Sequence, residues 1–285
     1  MQLRIRVAAL EDAAVCGRIC YEAFAAIAGR HGFPPQLSSV EVATALTSQL
    51  IKSPGFFGVV AELEGRVIGS NFLDERSTMF GVGPVTVEPA VQDRQIGRAL
   101  MTAVLERSAA RGAPGVRLVQ VAYHTRSMSL YAKLGFDVRE PFAVLQGNPV
   151  GFKVSGFAIR AATGADAEVC DALCVRVHGH DRGGEVRDGI AQGSAQVVER
   201  HGRITGYTTG VALFGHSIAE TNDDLIALIG AAEEFGGPGF LVPLRNTELL
   251  RWCLAHDLRV VSMMNLMTIG LYQEPRGAFL ASVLY

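Results

Sequence analysis

Residues 85–101 read VTVEPAVQDRQIGRALM and contain the chain's best candidate for chemistry. Alternating apolar residues end a strand at Val87, Pro89 stops it, and helical apolar spacing begins near Ile96. The turn between holds Gln92, Asp93, Arg94 and Gln95, with Gly97 and Ala99 in the first helical turn. Such a junction suits an anion. The first four N–H groups of a helix have no internal partner, and its dipole is positive at that end. Small residues let a phosphate approach the backbone, and Arg94 and Arg98 add charge. Charge-assisted hydrogen bonds contribute about 1.5–3 kcal/mol each, so several amides together can hold a pyrophosphate. The bland reading of the same residues is an ordinary strand–helix connection.

Other reactive residue types read as structural. Cys16/Cys20 and Cys170/Cys174 are i, i+4 pairs on helices, where cysteines pack as small buried apolar groups. His178, His180 and Asp181 in VHGHDRGGEVRDG (177–189) are metal-ligating types, but no third ligand is placed. The Gly183-Gly184 pair makes that segment a solvent or interdomain loop, so no metal is expected. Gly81-Val-Gly-Pro is not a dinucleotide fingerprint, because Pro84 stands where a helix would start. No G-x-S-x-G elbow supports serine hydrolase chemistry.

The elements that must position the anion turn alternate in type. Leu3, Ile5 and Val7 predict a strand, and residues 11–28 a helix. A second helix fits Ser39 to Lys52. Strands Phe56–Glu62 and Arg66–Leu73 flank a Glu64-Gly65 hairpin turn. A third strand spans Phe80–Glu88, and the helix from Ile96 to Arg111 is ended by Gly112 and Pro114. Strand Val116–Ala122, helix Ser127–Leu134 with Gly135 as its cap, and strand Phe136–Leu145 complete a β-α-α-β-β-β-α-β-α-β order.

The chain then repeats itself. IRVAALEDAAVCGRIC (5–20) and IRAATGADAEVCDALC (159–174) share eight of sixteen residues. EGRVIG (64–69) echoes HGRITG (201–206), and LGFDV (134–138) more weakly echoes HDLRV (256–260). The shrinking offset makes the second copy shorter. Two domains follow, 1–148 and 149–285, joined near Gln146 to Gly156. Composition agrees with folded α/β domains: 285 residues, 49 % hydrophobic and 19 % charged. With 26 Lys+Arg against 28 Asp+Glu there is no basic excess for nucleic acid. No apolar run approaches the roughly 20 residues of a membrane span. An odd count of 5 cysteines, and no signal-like apolar block near Met1, predict reduced thiols and a cytoplasmic protein.

V-x-P-x-x-Q-x-x-x-I-G-R-A-L (Val87 to Leu100), followed by L-Y-x-K-L-G-F (Leu130 to Phe136), resembles the acetyl-CoA signature of the GNAT N-acetyltransferase superfamily. The resemblance covers about residues 3–145. It implies a fold of two tandem GNAT-like domains, each a mixed, mostly antiparallel sheet flanked by helices, the second shortened. It implies acetyl-CoA as co-substrate and transfer of an acetyl group to a primary amine of a small molecule or peptide. Gln92, Asp93, Arg94, Gln95, Ile96, Gly97, Arg98 and Ala99 then cradle the pyrophosphate. Val85, Thr86 and Val87 face the pantetheine arm, a backbone N–H near Val87 meets the oxyanion, and Tyr131 protonates the leaving thiolate. His124, where the family commonly has Asn, and Ser127 complete the cofactor set. For the base that frees the amine, Glu88, His124, Asp74 and Glu75 are all candidates. The catalytic set is thus Tyr131, Glu88 and His124.

Two departures from the family pattern are visible. Counted from Gln92, Gln95 replaces the first loop glycine, and a left-handed conformation there costs roughly 1–2 kcal/mol, whereas counted from Arg94 the pattern Arg94-x-x-Gly97-x-Ala99 fits fully. His124 replaces the Asn. These features keep open a non-catalytic acyl-CoA or metabolite sensor. The second copy resembles the same superfamily in degenerate form: Asp223 and Asp224 stand where the phosphate loop would be, and Cys253 stands where Tyr131 does. Together with the tail GLYQEPRGAFLASVLY (270–285), it looks YitH-like, which implies a structural or substrate-shaping domain. Arg182 and Glu185 are expected to face the acceptor. No nucleic-acid or membrane partner is expected, and homodimerisation stays open.

Overall fold

The structure, a computed structural model, describes residues 3–92 and 94–284. The first half comprises β1 (Leu3–Val7), α1 (Ala13–Arg30), α2 (Val40–Lys52), β2 (Phe56–Leu63), β3 (Arg66–Asp74), β4 (Phe80–Val82), β5 (Thr86–Val87), α3 (Ile96–Ala110), β6 (Gly115–Val121), α4 (Thr125–Lys133) and β7 (Asp137–Gln146). Its helices cover both faces of the sheet, as apolar strand faces demand. On one face Leu100, Met101 and Val104 of α3 pack on Ile68, Leu73, Phe80 and Val82. On the other, Cys16 of α1 meets Val60 and Val67. Gly17 lets α2 approach α1, since a Cβ there would lie 2.4 Å from the Thr44 Cα. All five cysteines are buried as free thiols.

The second half repeats the plan with β8 (Ala158–Ala161), α5 (Ala167–His178), α6 (Gly183–Gln192), β9 (Gln196–Arg200), β10 (Arg203–Thr208), β11 (Ser217–Ala219), α7 (Asn222–Ala231), β12 (Phe240–Pro243), α8 (Thr247–Ala255), β13 (Arg259–Gly270) and β14 (Ala278–Leu280). The sequence echoes are echoes of structure. Asp12 takes a bidentate bond from Arg6 and one from the Ala9 N–H, while Asp166 does the same with Arg160 and Thr163. Glu64-Gly65 and His201-Gly202 both turn their hairpins with paired positive φ.

The halves interlock. The larger sheet runs β1-β2-β3-β4-β6-β13-β7-β12, with β5 on β3. β13 therefore inserts antiparallel between β6 and β7 of the first half, and β7 lies between β12 and β13 of the second. The smaller sheet runs β14-β11-β10-β9-β8.

Two local expectations change. The single strand expected over Phe80–Glu88 is broken at Gly83-Pro84-Val85 into β4 and β5, because Pro84 has no N–H for a ladder. The loop expected over 177–189 instead carries the end of α5 and most of α6, and it is packed inside the interface between the halves. Gly184 lies against Arg76, where a Cβ would come within 2.4 Å of the Arg76 carbonyl oxygen. Arg182 is 2 % exposed and bonds Glu185 at 2.7 Å and Ser282 at 2.9 Å. Opposite charges that satisfy one another can be buried this way.

Candidate active site

The break in the strand opens the sheet. β4 runs parallel to β6 only over Phe80↔Val116 and Gly81↔Arg117, and β5 then pairs with β3 alone. A cavity of about 550 Å³ runs through the gap. One end is lined by residues of α3 and α4, among them Gly97, Arg98, Leu130 and Tyr131. The other is lined by Phe24, Ile27 and Arg30 of α1 together with Leu213, Phe214 and Leu284 of the second half.

The backbone of β5 presents a donor to this gap. The Glu88 N–H donates to the Ile68 carbonyl at 2.8 Å, in register with Gly69↔Val87 and Ser70↔Thr86. Antiparallel ladders alternate bonded and non-bonded pairs, so the Val87 N–H and C=O point away from β3 and into the opening. The carbonyl accepts a 3.0 Å bond from Gln92 Nε2, and Arg126 donates to the other side of the Gln92 amide. Behind it, Ser70 and Thr86 share a buried hydroxyl contact of 3.2 Å.

At the head of α3 the first intrahelical bond is from the Ala99 N–H to the Gln95 carbonyl. The amides of Ile96, Gly97 and Arg98 precede it and have no partner within the helix. Among the described residues no side chain caps this end, and Gln95 adopts the left-handed conformation, with φ 62° and ψ 8°. Gly97 keeps the approach open, since Leu130 and Val87 are 3.4 and 4.0 Å from where a Cβ would sit. Three amides with no partner among the described residues, beside Arg98, Arg126 and Lys133, make this end able to hold a multiply charged anion.

Most sequence-predicted residues meet here. Val85, Thr86, Val87, Gln92, Gln95, Ile96, Gly97, Arg98, His124, Ser127 and Tyr131 all line the cavity. Arg94 is exposed on the loop and Ala99 is half-buried, both outside the lining, and Asp93 lies outside the described residues.

Of the groups considered for proton transfer, Tyr131 and His124 are at the cavity and the three carboxylates are not. Burial pushes the Tyr131 phenol up to about 12, so it stays protonated at neutral pH. His124 caps α4: its Nδ1 accepts from the Ser127 N–H at 3.4 Å, which leaves the hydrogen of the neutral ring on Nε2. Burial, then the charges of Arg126, His31 and Arg30, lower its pKa to about 4. A neutral imidazole used this way donates a hydrogen bond and is a poor base. Glu88 is held by Arg66 at 2.8 Å and, more distantly, by Arg18. Asp74 is buried against Arg76, and Glu75 is paired with Arg107.

Sequence reasoning missed several liners. Arg126 and Gln120 sit close to the Tyr131 motif. Gln120 donates to the His124 carbonyl at 2.9 Å and to Ser127 Oγ at 3.2 Å, so it fixes the α4 head. Leu213, Phe214 and Leu284 come from far along the chain, and only the fold brings them in. Conversely, Arg182 and Glu185 do not reach the cavity: they form the buried network with His216, whose Nδ1 is 3.2 Å from Glu185. Among the described residues, no group of three His, Cys, Asp or Glu side chains can hold a metal ion.

The equivalent helix head of the second half is already filled. Asp224 is fully buried and accepts from the Thr221 N–H at 3.0 Å and hydroxyl at 2.6 Å, and from Thr205. This capping box and the acidic Asp223 and Asp224 put negative charge at the helix head, which repels an anion.

Residues 22–136 match the sequence model of the acetyltransferase (GNAT) family. No curated protein matches the chain. Three solved structures align over nearly its whole length. A protein from Pyrococcus horikoshii assigned as an acetyltransferase is 17 % identical, with 97 % of this chain and 94 % of that one covered and a TM-score of 0.75. A GCN5-related N-acetyltransferase from Sphaerobacter thermophilus is 16 % identical over 95 % and 96 %, with a TM-score of 0.63. A tandem GNAT protein from the clavulanic acid biosynthesis pathway is 15 % identical over 94 % and 98 %, with a TM-score of 0.54. No helix among the described residues is long and apolar enough to cross a membrane. A segment of the first half is thus similar in sequence to the acetyltransferase (GNAT) family, and the chain as a whole shares its fold with these three proteins.

Proposed function

We propose that the chain is an N-acetyltransferase that uses acetyl-CoA, with one cofactor site, in the first half (1–148), and a second half (149–285) that binds no cofactor. The observation that carries this reading is the set of α3 amides with no partner among the described residues, lining a cavity that passes the Val87 N–H and Tyr131. Acetyl-CoA supplies the activated thioester carbonyl. Ile96, Gly97 and Arg98 bind its pyrophosphate, Arg98 and Arg126 add charge, and His124 Nε2 donates to the pantetheine arm.

The Val87 N–H is fixed in β5 and donates to the carbonyl oxygen as negative charge builds there. The amine nitrogen forms the new C–N bond as the C–S bond breaks, and the surplus amine proton balances the thiolate. Tyr131 Oη hands a proton to sulfur. With its pKa near 12 against about 8.5 for a thiol, that transfer is uphill unless the phenol is resupplied as it gives. Tyr131 therefore serves as a relay from amine to sulfur, not as a free acid.

Calorimetry with acetyl-CoA, followed by thiol release across an amine panel, tests the reading. Saturable heat and thiol release support it, and the absence of heat overturns it. Gln92, seated on the Val87 carbonyl, favours the sensor reading, which predicts acetyl-CoA heat with no thiol for any acceptor.

A further inference from the structure

The two ends of the cavity differ in what they can hold. Its lining includes Arg30, Arg98, Arg126 and Lys133 and, among the described residues, no Asp or Glu. Three of those cations sit on or beside α3 and α4, at the end read above as the cofactor site. Arg30 is the exposed last residue of α1, near enough to His124 for its charge to lower that group's pKa, and makes no ion pair among the described residues. Ala23, Ile27 and Arg30 follow i, i+4, i+7 spacing, which puts them on one stripe of the helix facing the cavity. Ile27 lies about 4.5 Å and Phe24 about 9 Å along the axis from Arg30.

The wall opposite is built by the second half. Phe80 and Val82 join the core under α3, so Gly81 and Gly83 turn to the other face. There the tail closes on them: a Cβ on Gly81 would come within 2.5 Å of the Leu284 carbonyl oxygen. The Val283 N–H donates to the Leu213 carbonyl at 2.7 Å and ties this tail to the segment that carries Phe214.

Among the described residues, an acceptor entering this end meets mostly apolar walls, one guanidinium and no Asp or Glu side chain, so a polycationic amine finds no side-chain counter-charge there. The positive surroundings favour the neutral form of an amine, which is the form that attacks. Resting on the transferase reading, we infer that the acceptor is an amine bearing a carboxylate and an apolar body, the chemical class of the hydrophobic amino acids. The carboxylate pairs with Arg30, and the body packs between Phe24 and the wall of Phe214 and Leu284.

The test uses the full chain. Acetyl-CoA binding is first measured by calorimetry, and thiol release is then compared for L-phenylalanine, phenethylamine (the same body without the carboxylate) and spermidine. The expected result is thiol release with the amino acid, kcat/KM at least tenfold lower for phenethylamine, and none for spermidine. Arg30→Gln is expected to raise KM for the amino acid tenfold or more and to change phenethylamine less than twofold, with the acetyl-CoA heat unaltered. Arg30→Lys restores most of the loss. Phenethylamine or spermidine matching the amino acid overturns the inference, as does acetyl-CoA heat with no thiol from any of the three. Absence of that heat overturns the transferase reading itself, and the acceptor class with it.

Discussion

Tyr131 and Gln95 are the two residues at which local chemistry can be put to the test. A buried phenol with its pKa pushed to about 12 keeps its proton through the working range. If it relays that proton to sulfur, Tyr131→Phe lowers kcat by about 10²–10⁴ and leaves acetyl-CoA affinity nearly unchanged. A kcat loss below tenfold in steady-state assays removes the role. Gln95 holds a left-handed φ of 62° without a glycine's freedom. Relief of about 1–2 kcal/mol, less the backbone entropy of about 0.5–1 kcal/mol that a glycine loses, leaves Gln95→Gly more stable by about 0.5–1 kcal/mol. A denaturant melt with an unchanged slope checks it. This strain was legible from sequence, because the position follows from the motif count. The neutrality of His124 was not legible: a residue name carries no burial, and here burial and the neighbouring Arg126 and Arg30 decide the protonation state.

Among the elements, the strand–helix order and the turn at Gln92–Ala99 could be read directly, because apolar period and punctuating residues are local signals. The break between β4 and β5 was readable only in hindsight, from Pro84. The path of β13 was beyond reach. RVVSMMNLMTIG reads as a buried strand, but nothing in it names β6 and β7 as neighbours. The same blindness misplaced Arg182 and Glu185, since charge and glycine together look like solvent until the partners are known. The exchange of strands has a testable outcome. A chain ending at residue 148 lacks β13, so β6 and β7 lose their shared partner and the buried Leu266, Met267 and Thr268 go with it. Residues 1–148 alone are expected to show no cooperative thermal transition. A sharp melt with full acetyl-CoA binding would contradict this.

For the whole molecule, buried histidines set the acid limit. His124, His180 and His216 are each held near pKa 4, chiefly by burial, and His178 lies well below its usual value. The unfolded chain takes up these protons near pH 6.5, whereas the native state does not until about pH 4. Below 6.5 the unfolded state thus binds more protons, so stability is full above that pH and falls as pH drops toward 4. Melting temperature is expected to decline steadily from pH 7 to pH 4.5, and His216→Phe, which removes one such group at the cost of its bond to Tyr207, should flatten the decline. A flat profile for the parent chain refutes the account.

Because β7 and β13 each complete the other half's sheet, the second half cannot be removed without opening the sheet that carries the cavity, whatever its own helix head binds. A substitution that dislodges β13 is therefore expected to destabilise the cavity-bearing half as much as one within β6 or β7.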